Sequence, residues 1–203
     1  MNNVLGIIAE YNPFHNGHMA HILQSKQLCD ADCTVCVMSG NFTQRGTPAI
    51  VDKWARTQMA LSNGIDIVIE LPTIYSIASA EHFALGSVKI LDSLGLVDFL
   101  SFGSECGHLD ILDEIATVLH NEPKEYTTLL KHELSKGISF PRARENAILL
   151  YLNDIRRYAN ILSNPNNILG IEYLKALKKL KSPIEPITVE RNTAQHNSNI
   201  VFR

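Results

Sequence analysis

Two rhythms of hydrophobic and polar positions alternate along this chain. Short apolar runs closed by proline, glycine or polar turns give way to longer stretches in which apolar residues recur every three or four positions. The runs lie at 4–9, 34–38, 65–71 and 97–102. Their nearly continuous Val, Ile and Leu content predicts strands buried on both faces, as in a parallel sheet. Helices are predicted between them, from near Gly17 to about Asp30, over 52–62 and over 79–94. The second should bury Trp54, Ala55, Met59 and Ala60. From Leu109 onward only the helical rhythm persists, over 109–120, 124–136, 142–158 and 167–181, until Ile187, Thr188, Val189 and Glu190 read as a returning fifth strand. Strand–helix alternation of this kind predicts an α/β, Rossmann-like, doubly wound parallel sheet with an additional helical segment. The expected division is 1–108 for the sheet core, 109–186 for the helical segment, and 187–203 for the returning strand and the start of a further region.

The chemistry concentrates where the first strand meets the first helix, in VLGIIAEYNPFHNGHMAHI. Asn12-Pro13 enforces a turn, because proline cannot extend a ladder and pushes the preceding residue out of the helical region. Asn16 is the expected cap of the helix, with Met19, Ile22 and Leu23 on one face. His15 and His18 flank that helix start. Its free backbone N–H groups and dipole suit a phosphate, and Gly17 allows close approach. The imidazoles can donate to oxygens that gain charge as pyrophosphate departs, or they can simply cap and pack. The stretch therefore outlines an ATP site. There is no G-x-G-x-x-G and no P-loop, so neither dinucleotide binding nor P-loop hydrolysis is supported.

Further candidates follow from position in a doubly wound sheet, whose carboxyl edge is where ligands bind. Ser39, Gly40, Asn41 and Arg45 lie in the polar loop after the second strand, and Arg45 could neutralise a developing pyrophosphate or stand in solvent. Gly103 ends the fourth strand. Lys53 and Arg56 place positive charge at a helix start, against the dipole; Lys53 taken alone suits solvation. His82 reads as a core or surface histidine.

Composition narrows the picture only a little. With 203 residues, 45% of them hydrophobic, the chain can bury a substantial core. No apolar run approaches the roughly 18 residues of a membrane span, so a cytoplasmic location is expected. Cys29, Cys33, Cys36 and Cys106 lack a second paired motif, which favours reduced, mostly buried thiols over a zinc site. Charge is unevenly shared: residues 1–123 hold 5 Lys/Arg against 14 Asp/Glu, a balance of −9, and residues 124–203 hold 13 against 7, a balance of +6. A basic second half suits an RNA partner, or an ordinary solvated helical face.

GIIAEYNPFHNGHMAHI resembles the first signature of the HIGH nucleotidyltransferase superfamily, and its wording is similar to that of the bacterial tRNA(Met) cytidine acetate ligase family. MSGNFTQRGTPAI, KWARTQMAL, IVIELP, FGSE and NPNNILGIEYLKAL resemble the same family in the same order, across nearly the whole chain. The resemblance implies ATP and acetate as substrates, acetyl-AMP as intermediate, and the wobble cytidine of elongator tRNA(Met) as acceptor, with Mg²⁺ accompanying the phosphates. It makes His15, His18 and Arg45 the catalytic candidates. The candidate ATP-binding residues are Ile7, Ile8, Ala9, Glu10, Tyr11, Asn12, Pro13, Phe14, His15, Asn16, Gly17, His18, Met19, Ala20, Gly103, Asn167 and Arg191. For Asn167, helix capping is the alternative. The superfamily's second phosphate signature, a Ser/Thr-rich turn ending in Ile-Arg, is expected after an Arg191-like position, where this chain reads Asn-Ile-Val-Phe-Arg. Family members are about twice as long, so the chain looks shortened. A small-molecule nucleotidyltransferase and a non-catalytic ATP-binding module are the competing readings.

Overall fold

The computed structural model describes residues 3–191. Five strands, β1 (Asn3–Ala9), β2 (Ala31–Ser39), β3 (Ile67–Leu71), β4 (Phe99–Ser104) and β5 (Glu185–Glu190), form one sheet in the order β3-β2-β1-β4-β5. Every pairing is parallel, which completes the α/β, doubly wound architecture expected from the apolar runs. The period of two along β2 explains why those runs are continuous. Val35 and Val37 enter one core, Cys36 and Met38 the other, so both faces need apolar side chains.

The helices divide between the two faces. On one side α1 (Asn16–Cys29) and α2 (Lys53–Ser62) cover Leu5, Ile7, Cys36 and Met38 with Ile22 and Ala60. On the other, α4 (Ala80–Ser93), α5 (Leu109–Asn121) and α9 (Pro165–Leu180) bury Phe83, Leu91, Leu112, Ile115, Ile171 and Leu174 against Val35, Val37, Leu100 and Phe102. Each such fully buried aliphatic side chain contributes about 1.5–3 kcal/mol. The short α3 (Thr73–Ser76) precedes α4, while α6 (Lys124–Ser135), α7 (Phe140–Leu152) and α8 (Ile155–Tyr158) lie between α5 and α9 in sequence. The second core contains residues from both sides of position 108. Residues 192–203, where the second phosphate signature was sought, lie outside the described residues.

Several local expectations change. The helix expected over 142–158 starts at Phe140 and breaks after Leu152, because Asn153 adopts a left-handed conformation (φ 53°) and Asp154 accepts the Arg157 N–H to start a new turn. The last helix starts at Pro165, in the first turn where proline loses nothing, so Asn167 lies inside it rather than capping it. β5 begins before Ile187 and tolerates Pro186 because it is an edge strand. Met19 and Leu23 of α1 are exposed, and the helix buries Ile22, Ser25 and Cys29 instead. In α2 the polarity is reversed: Trp54 is 74% exposed and Arg56 is 1% exposed.

The strand order positions the site. The chain leaves β1 toward β2 and β3, then crosses back to place β4 on the other side of β1. Adjacent connections therefore diverge at the carboxyl ends of β1 and β4, and the crevice between them is where a doubly wound sheet receives its ligand.

Candidate nucleotide site

One wall of the crevice is the start of α1. His15, not Asn16, is the cap: its Nδ1 accepts from the Gly17 N–H at 3.1 Å, and His18 Nδ1 accepts from the His15 N–H at 3.2 Å. This is a capping box built from imidazoles in place of the usual Ser/Thr and Glu/Gln. The two rings stack with centroids 3.6 Å apart, and Tyr11 and Phe14 pack edge-on or tilted around His18. Because each Nδ1 accepts, each neutral ring carries its proton on Nε2. The pair thus caps the helix start through the Nδ1 of each ring.

The second wall follows β2. Residues 41–49 fold back as a small hairpin, with an antiparallel bridge between Phe42 and Pro48 and the Gly46 N–H donating to Thr43 O, which closes the tip around Gln44 and Arg45. Gly46 takes φ 77°, as the turn requires. Arg45 is exposed at that tip. At the foot of the hairpin lies Arg56, whose guanidinium donates to the carbonyls of Glu10, Ser39, Gly40 and Val51. Burial pushes its pKa down, while Glu10, Asp52 and Glu70 oppose that shift; an arginine stays charged regardless. One buried cation therefore ties the ends of β1 and β2 to both ends of the hairpin.

The third wall joins β4, β5 and α9. Glu105 caps α9, accepting from the Asn166 and Asn167 N–H groups, and Asn167 Oδ1 accepts in return from the Glu105 and Cys106 N–H groups at 2.9 and 3.1 Å. Asn167 is 1% exposed, and its Nδ2 has no hydrogen-bond partner among the described residues. Arg191 lies across Gly103 and donates to Asn166 Oδ1 at 3.1 Å. A Cβ on Gly103 would stand 2.8 Å from Arg191 Cδ and 2.9 Å from Cγ. Gly103→Ala should therefore displace Arg191 with little loss of stability and weaken ATP binding about tenfold, the worth of one charge-assisted contact. Calorimetric titration checks this, and unchanged affinity would remove Arg191 from the site.

Below the crevice, His21 Nε2 lies 3.1 Å from Ser101 Oγ, which in turn meets Ser25 Oγ at 2.6 Å. Burial, with the positive charge of Arg191, pushes the His21 pKa down to about 4, so this histidine is neutral near pH 7. It pins α1 to β4. Its spacing of three from His18, on the same helix face, was the available sequence signal. Arg56, Glu105 and Gln44 carried none that periodicity could show.

Of the sequence candidates, Ala9, Glu10, Tyr11, Asn12, Pro13, Phe14, His15, Asn16, Gly17 and His18 line or adjoin the α1 end of the crevice, and Gly103, Asn167 and Arg191 form the opposite side. The Ile7 side chain is buried in the core and Ile8 is partly buried, which leaves a ligand mainly their backbone. Met19 and Ala20 follow in the first turns of α1. Arg45 stands apart, on the β2 side. Among the described residues no group of three or more His, Cys, Asp or Glu converges as a metal site. No helix among the described residues is long and apolar enough to cross a membrane.

Part of the charge asymmetry is resolved internally. Arg157 pairs with Asp110 and Glu114, Lys178 with Asp113, and Lys175 with Glu81, so cations of the basic half meet carboxylates of the acidic half.

Comparisons with known proteins identify the relatives of this chain. The chain is 55% identical over 195 residues to the tRNA(Met) cytidine acetate ligase of Acetivibrio thermocellus, covering 96% of this chain and 47% of the relative. It is 50% identical over 203 residues to that of Halothermothrix orenii, covering 97% and 48%. A crystal structure of Thermotoga maritima TmcAL bound with alpha-thio ATP superposes with a TM-score of 0.91 at 42% identity, over 95% of this chain and 47% of that one. The chain thus spans about half the length of these relatives. The HIGH Nucleotidyl Transferase family model matches residues 1–202, and with the imidazole-capped helix standing at the switch point of the sheet, the chain belongs to that family.

Proposed function

We propose that this chain carries the ATP-dependent, acyl-activating half of a tRNA(Met) cytidine acetate ligase. The observation that carries the reading is the imidazole capping box, which sets two histidines and a helix N-terminus at the switch-point crevice. The names of the relatives supply the acceptor and acyl donor, and the ATP analogue held by the T. maritima protein supplies the nucleotide.

In this reading ATP binds with its phosphates on the α1 start, the adenosine reaching toward Gly103, Asn167 and Arg191. An acetate oxygen attacks the α-phosphorus and the bond to the bridging oxygen of pyrophosphate breaks, giving acetyl-AMP. His15 and His18 donate to phosphate oxygens as charge moves onto the leaving group, and Arg45 meets the pyrophosphate from its hairpin tip. The N4 amine of the wobble cytidine of elongator tRNA(Met) then attacks the acetyl carbon, loses a proton, and releases AMP. The protein's work is to hold two anions together and to stabilise the departing one.

Exchange of labelled pyrophosphate into ATP tests the reading. Acetate-dependent exchange by this chain is the expected result. Exchange that ignores acetate but responds to a phosphorylated acceptor would replace it with a small-molecule nucleotidyltransferase, and ATP binding without exchange would reduce the chain to a nucleotide-binding module.

A further inference from the structure

The hairpin that carries Arg45 is closed on itself, with its bridge and turn bonds spent internally. What fixes its direction is a small set of bonds to the rest of the protein, and two of them converge on the residue just before Arg45. The Gln44 backbone N–H donates to the Glu10 carboxylate at the end of β1, and Gln44 Nε2 donates to Ala78 O at 2.9 Å, in the connection between α3 and α4. Asn12 Oδ1 adds a bond to the Ile50 N–H at 2.7 Å, and Arg56 holds the foot. Gln44 is thus bonded on one side to the loop that leads into α1 and on the other to the element beyond β3. An exposed arginine on an unanchored tip would lose much of its interaction with an anion to the entropy of being ordered.

We propose that Gln44 is a positioning residue that presets the hairpin so that Arg45 is aimed at the pyrophosphate end of ATP, Glu10 acting as its fixed anchor on the nucleotide loop. This rests on the reading of Arg45 as a phosphate contact. Three consequences separate it from simple structural support. Losing the amide must weaken ATP, must spare AMP, which lacks the pyrophosphate, and must matter only while Arg45 is present.

The test is a double-mutant cycle on this chain, with dissociation constants for ATP and AMP measured by calorimetry. Gln44→Met keeps the length of the side chain and removes the donor. Arg45→Ala is expected to weaken ATP about tenfold and Gln44→Met about threefold, the worth of one charged contact and of its partial misplacement. The double variant should match Arg45→Ala within about twofold, because a residue acting only through another adds nothing once that other is gone. AMP should bind all four proteins alike. Additive losses, equal losses for ATP and AMP, or an unaltered ATP constant in Gln44→Met would each overturn the inference. Full ATP affinity in Arg45→Ala would sink the phosphate role of Arg45 and the inference with it. Failure of the wild-type chain to bind ATP would instead remove the nucleotide reading on which both stand.

Discussion

Replacing His18 with alanine is expected to slow acetate-dependent pyrophosphate exchange by about 10²–10³-fold, the usual cost of removing one preorganised donor to a developing anion. The same change removes the acceptor for the His15 N–H. Loss of a cap bond costs about 0.5–2 kcal/mol, and in a domain of this size each kcal/mol moves the melting midpoint by about 2–4 °C. Activity and stability would both fall, so alanine alone does not separate them. His18→Asn does, since its amide oxygen can take over the cap while no donor reaches the Nε2 position. Its melt should return to within about 2 °C of wild type with the rate still reduced at least about a hundredfold. A restored rate in His18→Asn would make the histidine a cap and nothing more.

Arg56→Met should produce the largest loss of stability, about 3–5 kcal/mol. The substitution leaves the carbonyls of Glu10, Ser39, Gly40 and Val51 without the donor that unites them. Unsatisfied buried groups cost about 1–3 kcal/mol each, and water entering at the hairpin foot would recover some of that. At 2–4 °C per kcal/mol the midpoint falls by roughly 6–20 °C. Arg56→Lys keeps the charge but replaces a planar fork with a single ammonium, and should recover about half of the loss. Urea melts of the three proteins decide the matter, and a loss below about 1 kcal/mol in Arg56→Met would show that the carbonyls find other donors.

These two residues also mark how far the sequence could be read. The strands were legible because burial on both faces demands unbroken apolar runs, and the polar turn with two histidines announced the helix start that a phosphate would use. Its detail was off by one residue, because histidine is not among the usual capping types. Arg56 was illegible for a deeper reason. Hydropathy places Trp54 inside and arginine outside, and only the convergence of four backbone carbonyls from segments far apart in sequence makes the reverse arrangement favourable. The reciprocal bonds of Glu105 and Asn167, about sixty residues apart, are hidden in the same way. The break at Asn153-Asp154 was readable, since Asn tolerates the left-handed turn and Asp caps the next one.

β5 pairs with β4 from Glu185 to Glu190, across a separation of more than eighty residues, and only that pairing delivers Arg191 to Gly103. Contacts of such long range are slow to form, because the loop must close before they reward it. During synthesis the α1 end of the crevice is complete long before its opposite side emerges. On the proposed reading, nucleotide affinity arrives only once β5 has docked, and ATP would act as a ligand that recognises the five-stranded sheet and stabilises it against losing that edge.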